Sequence, residues 1–424
     1  MNYKTSVSLE SNIDNKRRVI STQVKSNILS YINTGNKIYI FKALLRDAQN
    51  SKLDPITNIT YLINHWFDVI LKGRMDIPTD LLEINNILSD PNVVIDLNQK
   101  VIITTLTGEI PIYIYNTIDR VVVSNQRRYK KSVLLPPASV SEISSMGVLH
   151  NKNLLTDLNR AYDVTIRNIE YLSIQLINIL RSRLEYIENK SQHPIYISFS
   201  GGIDSSLLLK IAYDNGLNVI PITVGLKKSK DILSMKQSLK ELNYKGEYYP
   251  IEVSKKDVLE SIHELKNNIE VKNPVYLSIA CVENLIMKNV RGKILIMGQG
   301  ADELYGGYDK YRRLYDRYPE ENLIDIALLY KGTILIEYII SELNDVTIAY
   351  PYLTYLGLLH SNTVPNIFKV SGREDRLRKW VIRRALKILG TSKELYMKRK
   401  RAIQYSTGID KVVKAFISGK EAKY

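Results

Sequence analysis

The sequence contains a single cysteine, Cys281, among 424 residues. Neither an intramolecular disulfide nor a cysteine-based zinc cluster is therefore possible within this sequence, and the usage fits a reducing interior. Long hydrophobic runs are also missing. No stretch approaches the roughly 18 uninterrupted apolar residues of a membrane-spanning helix, and the opening segment MNYKTSVSLESNIDNKRR lacks the apolar centre of a signal peptide. A soluble, cytoplasmic protein is the expectation. Hydrophobic residues make up 45% and charged residues 24% of the chain, which excludes a mainly disordered protein. A chain of this length predicts about two to three domains and a sizeable core without covalent staples.

Positive charge is in excess. Lys and Arg number 59 against 44 Asp and Glu, a net charge of +15. Much of the surplus lies in Arg373–Arg401, where twelve basic residues face three acidic ones. Such a run suits a polyanion, either nucleic acid or the phosphates of a nucleotide, or else it is a solvated lysine-rich face.

The patterning changes near residues 135–155, where LLPPASVSEISSMGVLHNKN has the composition of a connector. We divide the chain into residues 1–150 and 151–424. Upstream, Asn36–Leu44, Val101–Leu106, Ile110–Asn116 and Arg120–Ser124 are rich in β-branched and aromatic residues and read as strands. Turns at Thr107–Glu109 and Thr117–Asp119 would join the last three into a meander. Ile59–Leu71 and Thr79–Leu88 read as short helices, and the polar first thirty residues are expected to lack order. Downstream, a long helix over Leu155–Tyr186 is followed by alternating strands and helices. The strands are Ile195–Phe199, Val219–Val224, Tyr248–Val253 and Lys293–Met297; the helices are Ser205–Asn215, Lys230–Leu242 and Leu277–Lys288. This alternation predicts an α/β fold with a doubly wound parallel sheet, preceded by a smaller, mainly β part and ending in a helical C-terminal part.

Two glycine-rich stretches follow predicted strands of that sheet. In the first, Ser200-Gly201-Gly202-Ile203-Asp204-Ser205-Ser206, two glycines let backbone amides approach an anion. The next helix adds the partial positive charge of its N-terminus. The stretch lacks the Gly-Lys-Ser/Thr of a Walker loop. An aspartate among phosphate-binding donors makes sense as a ligand of a divalent cation; the plain alternative is a capped Ser/Gly turn. The second stretch, Gly298-Gln299-Gly300-Ala301-Asp302-Glu303-Leu304-Tyr305-Gly306-Gly307-Tyr308, follows Lys293–Met297. Asp302 would face Asp204 across a metal–phosphate site, since magnesium needs few protein ligands.

SGGIDSS together with GQGADELYGGY resembles the synthetase domain of the asparagine synthetase family, within the PP-loop ATP pyrophosphatases. The second motif is close to the family's GEGADELFGGY and is highly specific. The likeness runs from about Leu155 to Lys414. It implies a sheet of the adenine-nucleotide α-hydrolase type, ATP bound over Ser200–Ser206 with Gly298, Gln299 and Gly300 nearby, and Mg2+ between Asp204 and Asp302. Thr223-Val224-Gly225 and Ser229-Lys230-Asp231 are similar to the family's nucleotide-contacting segment. Lys398–Tyr405 resembles its basic motif, in which Lys400 matches the lysine that stabilises the transition state. The implied reaction is amide ligation: a carboxylate, aspartate by default, is adenylated with loss of pyrophosphate and then attacked by ammonia or another amine.

Three departures accompany the resemblance. Residue 2 is Asn2, where glutamine-hydrolysing members have a catalytic cysteine. Residues 108–137 nevertheless look like the end of a glutaminase domain, so the first half is read as a shortened, degenerate relative with nitrogen coming from ammonia, a separate glutaminase subunit or another amine. Thr347, Ala349 and Thr354 replace the glutamate, arginine and aspartate of the family's ExRxPFLD segment. Gln299 replaces a glutamate near the acyl substrate. Two other readings compete: a PP-loop enzyme acting on tRNA, favoured by the basic run, and a non-catalytic nucleotide-binding relative, favoured by Asn2 and Thr347.

Overall fold

The computed structural model describes residues 168–399 apart from 228 and 270–272, residues 408–418, and a set of segments between 4 and 153. Before residue 154 the strands are Lys4–Ile13 (β1), Lys16–Lys25 (β2), Leu29–Asn33 (β3), Lys37–Lys42 (β4), Asn92–Asp96 (β5), Val101–Thr104 (β6), Tyr113–Asn116 (β7), Arg120–Ser124 (β8), Val133–Leu134 (β9), Ser139–Ser144 (β10) and Gly147–Asn153 (β11). They form two sheets, in the orders β1-β2-β8-β7-β9 and β11-β10-β6-β5-β4-β3.

Several expectations change here. The polar first thirty residues include β1 and β2, an antiparallel pair in register from Lys4↔Lys25 to Ile13↔Lys16. Val7 and Leu9 alternate with Ser6, Ser8 and Glu10, so a period-two pattern is present even though apolar residues are few. The meander survives only at its second turn, as the antiparallel pair β7–β8. The strands flanking the first turn lie in different sheets, β6 between β5 and β10 and β7 between β8 and β9. Alternation identifies a strand without identifying its partner. The supposed connector contains the hairpin β10–β11. Residues 105–109 and 117–119 lie outside the described residues, and of Ile59–Leu71 only Leu62, Trp66 and Val69 are described, helical and buried.

The predicted helix Thr79–Leu88 (α1) is found as expected, and the long helix covers Ile169–Asn189 (α2), with 154–167 outside the described residues. Beyond it, Ile195–Ser198 (β12), Val219–Leu226 (β13), Tyr249–Val253 (β14), Ile294–Ile296 (β15) and Thr347–Ala349 (β16) make a wholly parallel sheet. Its order is β14-β13-β12-β15-β16. The helices Ile203–Asp214 (α3), Lys230–Glu241 (α4), Lys255–Asn268 (α5) and Pro274–Met287 (α6) connect the strands. Because the order runs outward from β12 in both directions, right-handed crossovers place helices on both faces. The inner strands are near-continuous apolar runs, with Ile195, Ile197, Ile222 and Ile296 fully buried, whereas the edge strand β14 is only partly buried. The sequence reading did not include α5, although Ser254 and Asp257 form a capping box at its start.

A buried ion pair ties α1 to α2. Arg183 Nη1 lies 2.9 Å from Asp90 Oδ1 and donates to the Asn86 carbonyl at 2.8 Å, while the Tyr186 hydroxyl donates to Asp90 Oδ2 at 2.7 Å. Burial raises the pKa of Asp90 in spite of Arg183. Removing the guanidinium leaves that carboxyl buried without its cation, a change that typically costs about 3–5 kcal/mol. Arg183→Ala is expected to lower the urea midpoint by an amount equivalent to about 3 kcal/mol, measured by circular dichroism.

Candidate functional site

The two glycine loops leave the C-terminal ends of β12 and β15, which pair directly through Tyr196↔Leu295 and Ile197↔Ile296. The strand order reverses at this point, where open α/β sheets form a crevice for ligands. Gly201 has φ +70°, and a Cβ there would lie 2.8 Å from the Ser234 carbonyl oxygen. The loop passes directly into α3, with Gly202 as N-cap and Asp204 in the first turn. The second loop enters the short helix Ala301–Tyr305 (α7) through Gly300 at φ +89°. Gly307 has no room for a side chain, since a Cβ would run into Asp302 Oδ1 and Lys379 Cε.

Asp204 and Asp302 are brought together as expected, and a lysine stands between them. Lys379 Nζ lies 2.7 Å from Asp204 Oδ2 and 2.6 Å from Asp302 Oδ1, with its side chain 2% exposed. Burial alone would lower its pKa; the two carboxylates outweigh burial and raise it. Arg378 and Lys379 both have φ +55°, a left-handed conformation uncommon for side chains of this size. Asp375 Oδ1 fixes that turn by accepting from the backbone N–H groups of Leu377 at 2.9 Å and Arg378 at 2.8 Å. Buried Arg383 adds bonds to the carbonyls of Arg378 at 2.6 Å, Tyr396 at 2.7 Å and Lys398 at 2.9 Å.

A cavity of about 710 Å³ opens over the pair. Among the sequence-predicted residues, Ser200, Gly202, Ile203, Asp204, Ser205, Gly298, Gln299 and Asp302 line it. Lys379, Arg383, Lys398 and Arg399 bring basic groups to the same wall. Gly201 faces away: its carbonyl accepts from Lys398 Nζ at 2.8 Å and Ser238 Oγ at 3.0 Å. Ser206 is buried in α3, and Gly300 sits against Leu353. Val224 and Gly225 are in β13 and are not among the cavity-lining residues; Ser229 caps α4. Lys400 lies outside the described residues. Thr347 is buried in β16, and Thr354 Oγ1 accepts from the Gly357 N–H at 3.0 Å, so neither substituted position reaches the cavity wall.

Lys379 and Arg383 do not stand out in the sequence because they sit in the basic run that also suits a solvated face. The one available signal was the apolar spacing of Val381, Ile382, Ala385 and Leu386, all fully buried. It marks Trp380–Ile388 as a core-facing helix beginning directly after Lys379.

The pair also meets the requirements of a divalent cation. Asp204 Oδ1 is buried and has no hydrogen-bond partner among the described residues. Two carboxylates suffice for magnesium, which takes its remaining ligands from water or a bound anion.

Residues 188–332 match the family model for asparagine synthase. The chain is 29% identical over 223 residues to a putative glutamine-hydrolysing asparagine synthetase 1 of Methanocaldococcus jannaschii, a match covering 49% of this chain and 38% of that protein. Identity to glutamine-hydrolysing asparagine synthetase 1 of Arabidopsis thaliana is 23% over 214 residues, covering 45% and 35%. An asparagine synthetase domain-containing protein of Saccharomyces cerevisiae is 26% identical over 345 residues, covering 72% and 61%. The chain thus spans less than two thirds of the length of these relatives. Among solved structures, the NMN synthetase of Francisella tularensis aligns at TM-score 0.32 with 16% identity, over 61% of this chain and 89% of that one. The family resemblance carried by the two motifs is thereby shown for the region that contains both loops.

Lys379 carries its stabilising charge below the unfolded lysine pKa, and the contribution is lost as pH rises through its raised folded value. Lys379→Met is therefore expected to lower stability by about 3 kcal/mol at neutral pH. The gap to the unsubstituted chain should narrow only in strongly alkaline buffer, as read by urea titrations at several pH values.

Proposed function

We propose that this chain is an ATP-dependent, AMP-forming amide ligase related to the asparagine synthetases. The observation that carries this reading is the Asp204–Lys379–Asp302 bridge at the ends of two adjacent parallel strands. Arg383, Lys398 and Arg399 line the same cavity, and the two carboxylates would hold a metal. In the proposed reaction a carboxylate, aspartate by default, attacks the α-phosphorus of ATP and pyrophosphate leaves. The acyl-adenylate is then opened by ammonia or another amine, giving an amide and AMP.

The protein's part is positioning and charge compensation. The amide of Gly202, the Ser205 hydroxyl and the N-terminus of α3 are the donors for the phosphates. Asp204 and Asp302 would hold Mg2+, which supplies charge neutralisation on the phosphate oxygens. Lys379 keeps the two acids in register. Arg383 and Lys398 hold the chain segment that leads to Lys400. By the family resemblance, Lys400 meets the negative charge that develops on the reacting oxygens. Residues 1–150 we take as a shortened, degenerate glutaminase-like domain. With Asn2 in place of a nucleophile, the nitrogen comes from free ammonia, another amine or a separate glutaminase subunit. With aspartate as substrate, the reaction belongs to cytoplasmic amino-acid biosynthesis.

A pyrophosphate-release assay with ATP and Mg2+ across amino-acid carboxylates, using ammonium or glutamine as donor, tests the reading. Asp204→Asn and Asp302→Asn should each reduce release by at least about 100-fold while circular dichroism stays unchanged. Lys400→Ala should lower kcat with little change in the affinity for ATP. Full release by the aspartate variants, or none by the unsubstituted chain with any carboxylate, overturns the assignment.

A further inference from the structure

A second acidic pair lies in the same cavity, away from the Asp204–Asp302 bridge. On α6, Val275, Ile279 and Glu283 line the wall, four residues apart and so on one helix face. Val275 is at the exposed end of this face, and Glu283, at the other end, is buried with only 7% of its surface exposed. Behind it packs the helix Thr333–Asn344 (α8), which gives Thr333 to the cavity and, one turn further on, the fully buried Glu337. The Tyr350 hydroxyl, just past the end of β16, donates to Glu337 Oε2. Burial raises the pKa of Glu283, and the charge of Glu337 and a hydrogen bond between the two acids raise it further. Glu283 Oε2 has no hydrogen-bond partner among the described residues.

A buried carboxyl oxygen without a partner on a cavity wall needs a donor. Of the cavity's basic residues, Lys310 pairs with Asp325 at 2.7 Å, Arg313 with Asp309 at 3.1 Å and Lys379 with Asp204 and Asp302, while Arg383 and Lys398 donate to backbone carbonyls. Val275, Ile279 and Thr333, which line the cavity from the two helices that carry the pair, are uncharged. Glu283 thus presents a buried carboxyl oxygen to the cavity, suited to a small nitrogen donor.

We infer that Glu283, backed by Glu337 and Tyr350, receives the ammonium form of the nitrogen substrate and takes its proton. The role rests on the ligase reading above. The step balances: ammonium gives one proton to the carboxylate pair, and the freed lone pair forms a bond to the acyl carbon. The acyl C–O bond to AMP breaks with its electron pair leaving on the phosphate oxygen, and the extra N–H proton passes to water. The geometry gives this chain a carboxylate for its amine at a position different from Thr347.

Glu283→Gln in the full chain separates the steps. ATP–pyrophosphate exchange with the active carboxylate should stay within about twofold of the unsubstituted chain. Hydroxamate formation with hydroxylamine, a nucleophile largely uncharged at neutral pH, should also persist. Amide formation from ammonium chloride should fall about 100-fold, the lower range for loss of a general base, and Glu283→Asp should restore part of it. Retained exchange in the same sample shows that the variant is folded. Unchanged amide formation from ammonium overturns the inference, as does an equal fall in all three activities, which would mark Glu283 as structural. Absence of exchange in the unsubstituted chain with every carboxylate overturns the ligase reading itself, and this role with it.

Discussion

The cavity is organised around a cation shared by two carboxylates. Lys379 Nζ holds Asp204 at 2.7 Å and Asp302 at 2.6 Å, so the two glycine loops are joined through one buried ammonium. Without a positive charge between them, two acids this close would repel each other in a partly desolvated crevice. With it, the loops have a defined separation before any ligand arrives. The backbone is fitted to the same purpose: Gly307 has no side chain where Asp302 and Lys379 meet, and the left-handed turn at Arg378 and Lys379 aims the lysine inward. Strain of this sort persists only where surrounding contacts over-determine it. Here Asp375 and Arg383 do so from opposite sides of the turn.

The parts that were legible in the sequence share a property: their evidence is local. Strands β12, β13, β14 and β15 are short apolar runs bounded by turn residues, and the glycine loops follow two of them directly. Both loops and both aspartates could therefore be assigned to neighbouring strands, which pair in the fold. Lys379 was not legible for the opposite reason. Its partner Asp204 is 175 residues away, and nothing in the basic run distinguishes an inward lysine from a solvated one. The N-terminal sheets make the same point. Runs such as Val101–Thr104 and Tyr113–Asn116 declare themselves as strands, but their sheet membership is decided by long-range pairing that alternation does not encode.

The substituted positions Thr347 and Thr354 were read from the sequence as lost acids in a reacting centre. In the fold they are structural: one is buried within an edge strand and the other caps a helix. Buried acids lie instead on α6 and α8, at Glu283 and Glu337. Carboxyl groups that are this deeply buried are unusual in a core unless paired. The pairing with each other and with Tyr350 accounts for their retention, and the position of Glu283 on the cavity wall connects it to the chemistry.

The net charge of +15 can now be apportioned. Within the basic run, Lys379 and Arg383 are buried, Arg378 is nearly so, and Lys398 is bonded to the Gly201 carbonyl and to Ser234 and Ser238 beneath the first loop. These side chains are internal electrostatic supports for a crevice lined by acids. They are not available to a nucleic-acid backbone, whose counterion-driven binding requires accessible charge. The run that first suggested a polynucleotide surface thus turns a substantial part of its charge inward.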